Sequence, residues 1–207
     1  MGNGYKYKDE SENPKIYTWE ELMEMAVTAL LTRSPYSHGL APEHIKKTPK
    51  RVVEAYKEAF SGCLVHTRLL LESALFPSEN HTQMIHVGNI RFYSTCMHHM
   101  ALISGVAHFA YIPGEHMIGI SKIPRLVDAY ARRPQVQELM SNQIVDDFVQ
   151  FVKPKGCGIS VTADHACMQC RGARAQTAFM RTTALRGNFL ENAETKEEFL
   201  MSVKESR

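Results

Sequence analysis

The sequence predicts an α+β domain in which helices cover one face of an antiparallel sheet. Three observations carry that reading. Helical periodicity dominates the first 75 residues, strand periodicity takes over across residues 88–120, and two helical segments followed by two strand-like ones complete the chain. The order is therefore helices first and then ββ-αα-ββ. With 207 residues, 44% apolar and 22% charged, the chain holds one domain and an N-terminal extension.

Each element has a local cause. Residues 1–16 are polar and rich in Lys, Glu, Asn and Gly, and are expected to form a flexible arm. Thr18-Trp19-Glu20-Glu21 has the form of a capping box and opens a helix through Leu31, with Leu22, Met25, Ala26, Ala29 and Leu30 on one stripe. A loop over 34–39 follows. Thr48-Pro49 then reads as cap and first position of a second helix, with Val52, Tyr56, Ala59 and Phe60 inward and Ser61-Gly62 as its stop. A linker containing Pro77 separates this helical region, 17–75, from the main domain, 76–207.

Strands are expected over 88–96 and 105–112, the second ending in a hairpin turn at Pro113-Gly114 and returning as a short strand over 117–120. Two helices come next. Ile123, Leu126, Val127 and Tyr130 mark the buried face of the first, and Val136, Leu139, Met140, Ile144 and Phe148 that of the second, which breaks at Pro154 to Gly156. Residues 158–164 alternate, with Ile159, Val161 and Ala163 on one face. A strand over 176–185 and a helix over 195–203 close the chain.

Charge and thiols limit the functional classes. Twenty-four Lys and Arg against 22 Asp and Glu leave a formal charge of +2, which argues against nucleic acid or an anionic membrane as partner. No 18-residue stretch is apolar and uncharged, and the N-terminus lacks the apolar core of a signal peptide, so a cytoplasmic location is expected. Five cysteines are an odd number for a disulfide framework and read better as thiols or metal ligands.

Cys96-Met97-His98-His99 ends a predicted strand, and the three-residue spacing of Cys96 and His99 lets both meet one metal from a tight turn. Thiolate with imidazole suits zinc. A further ligand would come from Cys167 or Cys170 in DHACMQC. On a continued pleat His165 and Cys167 point to the same side. One arrangement is a three-ligand site with an open position, as in catalytic zinc; the other is a closed structural site that uses both cysteines and has no need of His98 or His165. Cys63 and Cys157 read as ordinary buried thiols.

The stretches FYSTCMHH, GVAHFAYIP, IGISKIPRLVDAYARRPQVQE and DHACMQCRG, in this order and spacing, resemble GTP cyclohydrolase I. The similarity runs from TPKRV at Thr48 to TKEEF at Phe199 and covers roughly three quarters of the chain. It implies the tunnelling fold and a toroidal homodecamer of two pentamers, with active sites where neighbouring subunits meet. It also implies zinc as cofactor and GTP as substrate. Residue by residue, Cys96, His99 and Cys167 match the zinc ligands and His98 and His165 the catalytic histidines. Glu138 matches the carboxylate that reads the guanine ring, and Gln137 beside it is expected to bind substrate. Ser121, Lys122, Arg125 and Arg171 match triphosphate and ribose contacts, and Arg51 a basic contact across the subunit boundary. Cys170 falls where the family uses no ligand.

These residue types suit the implied reaction. Opening the imidazole ring needs hydroxide at carbon 8, which zinc supplies near neutrality by lowering the pKa of water to about 7. His165 is the expected proton donor to the neighbouring ring nitrogen, and His98 a second acid or base. For Arg132 and Arg133 a solvated helix face is the simpler reading.

There are departures as well. Met97 stands where the family usually has Glu, and Val106 where it usually has Lys. An apolar contact between them, replacing an ion pair, is expected. Glu54 stands where some members carry a phosphate-facing Lys, and Ala178 and Met180 replace hydroxyl residues. Competing readings are a relative acting on dGTP, a decayed homologue that keeps zinc for assembly only, and the nitrile reductase of the same fold. The last requires a nucleophilic cysteine and a nicotinamide cofactor. The pathway that uses the product, whether folate, a pterin cofactor or a modified guanine, stays open.

Overall fold

The computed structural model describes residues 17–34 and 40–205. The arm expected over 1–16 and nearly all of the loop expected over 34–39 lie outside the described residues. The chain divides into two compact units, residues 1–58 and 59–207.

In the N-terminal unit, α1 (Trp19–Arg33) starts with the expected capping box. Thr18 Oγ1 accepts from the Glu21 N–H at 3.2 Å, and the Glu21 carboxylate accepts from the Thr18 N–H at 2.9 Å. Its apolar stripe is not buried, however: Met25 is 54% and Leu30 63% exposed. Helix α2 (Pro42–Ala59) starts six residues before Thr48, and Pro49 lies inside it. A second proline explains the difference. Pro42 takes the first position, where a missing N–H costs no hydrogen bond, and Glu43 in the first turn complements the helix dipole. Pro49 and Val53 are buried, and Val52, Tyr56 and Ala59 are half-buried.

The second unit opens with a 3-10 turn (Ser61–Leu64) and the short helix α3 (Thr67–Glu72), which the sequence pattern had merged into a linker. Gly62 is required at the turn. Its N–H donates to Arg132 O at 2.9 Å, and a Cβ would lie 2.3 Å from Ala129 O. Cys63 is exposed, not buried as expected, because this turn sits at the surface.

Strand β1 (Leu75–Pro77) pairs with β4 (His116–Ile118), so Pro113-Gly114 does not close a hairpin between β4 and the preceding strand. The main sheet has the order β5-β2-β3-β6-β7, built from β2 (Ile85–Cys96), β3 (Ala101–Ile112), β5 (Pro134–Gln135), β6 (Gly156–His165) and β7 (Met180–Gly187). All pairings are antiparallel except β2 with β5. Strand β7 starts four residues later than the pattern implied.

Helices α4 (Lys122–Ala131) and α5 (Gln137–Val152) cover one face of the sheet. There Phe109, Ile159 and Ala184, aligned across three strands, meet Leu126, Ile144 and Phe148. Leu139, expected inward, is 54% exposed. One pleat position along, Ala110, Gly158 and Leu185 point to the other face. At that face Leu185 and Ala110 pack with Phe189 of α7 (Asn188–Glu191) and with Phe199 and Val203 of α8 (Ala193–Glu205). Helices therefore lie on both faces, not on one. Gly158 permits this, since a Cβ would come within 2.7 Å of Leu185 and 3.0 Å of Phe189.

His86 lies against Phe199 edge-on and stacks on His108 with ring centroids 5.7 Å apart. Its Nε2 is buried with no hydrogen-bond partner among the described residues, and burial holds its pKa below the usual histidine value. The unfolded chain then binds more protons as the pH falls below about 6.5. Stability is complete above that value and declines below it. We expect the melting temperature to drop between pH 7 and pH 5, and to drop less steeply in His86→Phe. Equal slopes would show that His86 is not the titrating group.

Candidate active site

The site grows from the end of β2. Cys96 is the last residue of the strand and is buried. The chain then turns back on itself, with the N–H groups of His99 and Met100 donating to Cys96 O at 3.3 and 2.8 Å. Met100 takes a left-handed conformation, φ 52°, which brings the chain round into β3. Strand β5 secures the outer side, where the Met97 N–H donates to Gln135 O at 3.1 Å.

Cys167 arrives from the other side of β3, but not along a continued pleat. Strand β6 ends at His165, and one turn of helix, α6 (Ala166–Gln169), places the thiol. Cys96 Sγ lies 3.7 Å from His99 Nδ1 and 3.8 Å from Cys167 Sγ. The three donor atoms all fall within 4.8 Å of one another. With Zn–S near 2.3 Å and Zn–N near 2.0–2.1 Å, a tetrahedron has S–S and S–N edges of roughly 3.8 and 3.6 Å, so the donor set fits zinc in both chemistry and spacing. Burial, and then the neighbouring Cys96 thiol, push the Cys167 pKa up, while Arg171 opposes them. A dication between the sulfurs reverses that balance. Cys170 is turned away, its thiol donating to Ala166 O at 2.8 Å. Cys157 is buried under α5, and its thiol is pushed up to about 12 by burial, which makes it chemically inert.

The two further histidines differ in setting. His98 is exposed beside His99, the rings edge to face with centroids 6.3 Å apart. His165 is half-buried, and its Nε2 lies 2.7 Å from Gln137 Oε1. Burial lowers the His165 pKa, and the charges of Glu138 and Asp164 act the other way. Gln137 and Glu138 occupy the first turn of α5, Gln137 buried and Glu138 exposed. The Gln137 amide nitrogen donates to Val161 O, Met180 O and Thr182 Oγ1 at 3.2, 3.3 and 3.2 Å. Thr182 in turn lies 2.7 Å from Ser141 Oγ. Sequence reasoning missed Ser141 and Thr182 because nothing in a lone serine or threonine distinguishes a network member from a filler.

The basic residues come from several elements. Ser121 is the exposed N-cap of α4, Lys122 donates to Ser73 Oγ at 3.0 Å, and Arg125 and Arg171 are exposed. Arg51 is exposed on α2 in the N-terminal unit. The start of α4 is far from Cys96. The Ile118 N–H donates to the hydroxyl of Tyr111, ten residues along β3 from Ala101, the partner of Cys96. At about 3.3 Å per residue Tyr111 lies roughly 33 Å along β3 from Ala101, so the start of α4 is well separated from Cys96. Glu54 on α2 accepts from Lys57 at 3.1 Å.

Met97 and Val106 do not touch. Val106 is five residues along β3 from Ala101, roughly 17 Å, and faces the opposite side of the sheet from Cys96. It lines a groove of about 240 Å³ with Arg91, Tyr93 and Asp164, whereas Met97 is an exposed turn residue. Alternation along β3 puts odd and even residues on opposite faces, which the spacing of two motifs cannot convey. The stability effects of Met97→Glu and Val106→Lys should therefore add to within about 0.5 kcal/mol in a double-mutant melt series. A larger coupling would restore the contact.

Among the described residues no helix is long and apolar enough to cross a membrane. A family model described as GTP cyclohydrolase I matches residues 23–204. GTP cyclohydrolase 1 of Campylobacter curvus is 45% identical over 161 residues, covering 78% of this chain and 84% of the relative. The protein of the same name from Campylobacter concisus is 41% identical over 191 residues, 91% and 97% of the two chains. That of Mycobacteroides abscessus is 43% identical over 182 residues, 86% of each. Matched along nearly its whole length by the family model and along most of its length by these relatives, the chain belongs to the GTP cyclohydrolase I family of enzymes.

Proposed function

We propose that this protein is a zinc-dependent GTP cyclohydrolase that converts GTP and water to formate and 7,8-dihydroneopterin triphosphate in the cytoplasm. The observation that carries the proposal is the convergence of Cys96, His99 and Cys167, with His165 and His98 at the same end of the sheet. Three protein ligands are the number found in catalytic zinc sites, and when bound the metal lowers the pKa of water to about 7.

The chain's own groups supply the rest. With His165 Nε2 directed at Gln137 Oε1, Nδ1 is the atom left to take a proton from the attacking water and return it to the ring nitrogen beside carbon 8, and burial, which lowers the His165 pKa, favours the neutral ring. Exposed His98 is placed to act on the later steps, loss of formate and opening of the ribose. The Glu138 carboxylate accepts the two N–H groups on the guanine edge. Ser121, Lys122, Arg125, Arg171 and Arg51 bind the triphosphate and ribose, the arginines as bidentate donors.

The wide separation of Lys122 from Cys96 along the sheet supports sites shared between subunits, as in a ring-shaped homodecamer. The bare edges of the sheet support assembly in the same way. The experiment is an assay of formate and pterin triphosphate from GTP, with dGTP in parallel. Equimolar formate and pterin from GTP support the proposal. Bound zinc with no formate from either nucleotide identifies a decayed homologue, and formate from dGTP alone reassigns the substrate.

A further inference from the structure

Gln137, expected to bind substrate, has its side chain committed within the protein. It is 2% exposed. Its amide nitrogen faces two backbone carbonyls, Val161 O on β6 and Met180 O on β7, together with Thr182 Oγ1. Carbonyl oxygens only accept hydrogen bonds. Reversing the amide would set its oxygen against both of them, so the sheet itself fixes which end is NH2 and which is oxygen.

Hydroxyls reinforce the choice. Ser141 Oγ donates to Gln137 O, one turn earlier on α5, at 3.1 Å. With that proton used, Thr182 donates to Ser141 across 2.7 Å and presents only lone pairs to the Gln137 amide. The remaining end, Oε1, is an obligatory acceptor 2.7 Å from His165 Nε2. That nitrogen must carry a hydrogen.

We propose that Gln137 is a positioning residue and not a substrate ligand: its amide, oriented by β6, β7 and the Ser141–Thr182 hydroxyl pair, holds His165 in the Nε2–H form and leaves Nδ1 for the reacting nucleotide. The inference rests on the assignment of His165 as proton carrier made above. A wrong tautomer presents an N–H where an acceptor is needed, so loss of the amide slows turnover without weakening nucleotide binding.

The test pairs structure with kinetics. A neutron diffraction map of the zinc-loaded full-length protein should show hydrogen on His165 Nε2 and none on Nδ1. Gln137→Met, which fills the space without an acceptor, should lower kcat about 10- to 100-fold and leave KM within about twofold. Gln137→Glu, protonated on the oxygen that faces the two carbonyls, keeps an acceptor toward Nε2–H and should retain several-fold more kcat than the Met variant. Hydrogen on Nδ1, or a rise in KM with kcat preserved, overturns the proposal. If Gln137→Met does not assemble, the neutron map and the Glu variant still decide. Failure of the wild-type protein to release formate from GTP defeats the functional reading instead, and the neutron map still reports the tautomer.

Discussion

Cys96→Ser, His99→Ala and Cys167→Ser should each lose zinc and lose formate release by more than about 100-fold, while Cys170→Ser keeps both. Outer partners of metal sites already contribute about 10- to 100-fold, and a direct ligand exceeds them. A serine hydroxyl does not ionise as a thiol does, so it offers neither the charge nor the softness that holds zinc. The geometry separates the four positions sharply. The donor atoms of Cys96, His99 and Cys167 lie within 4.8 Å of one another, whereas the Cys170 thiol turns back to Ala166 O. Metal analysis alongside the assay checks this. Zinc lost from the Cys170 variant would indicate a closed four-ligand site with no open position.

Mixing two inactive variants should restore activity. Cys96→Ser removes the metal end of the site and Lys122→Met the phosphate end. On the proposed shared-site reading, the two ends of any single site belong to different subunits. In a randomly assembled ring of equal parts, about a quarter of the sites combine two intact halves. Co-expressed or co-refolded mixtures should therefore recover roughly a quarter of wild-type turnover, against a background near zero for either variant alone. No recovery in mixed rings, verified by mass spectrometry, would place both ends in one subunit.

Much of this was legible in the sequence because the signals are local. The capping box at Thr18 and the alternation of Ile159, Val161 and Ala163 each state their own structure within a few residues. Cys96 and His99 share a single turn, so their spacing alone argued for a common ligand. Cys167 emerged as third ligand only through family resemblance, because the switch from strand to helix after His165 sets its direction, and no pleat argument anticipates that switch. The error at Pro49 came from reading a proline as a start signal when Pro42 had already begun the helix. Packing of α8 on the second face escaped notice because Gly158 contributes by lacking a side chain. The Met97–Val106 pairing failed for a similar reason: two motifs close in sequence say nothing of which face each presents.

Cleavage of GTP should depend on zinc held by the Cys96, His99 and Cys167 group. The most direct measurement is a titration of chelator-stripped full-length protein with zinc, following formate released from GTP as a function of zinc bound. The stripped protein should show no turnover, and activity should rise linearly and saturate at one zinc per chain. Full formate release from protein verified to contain no metal would contradict that dependence.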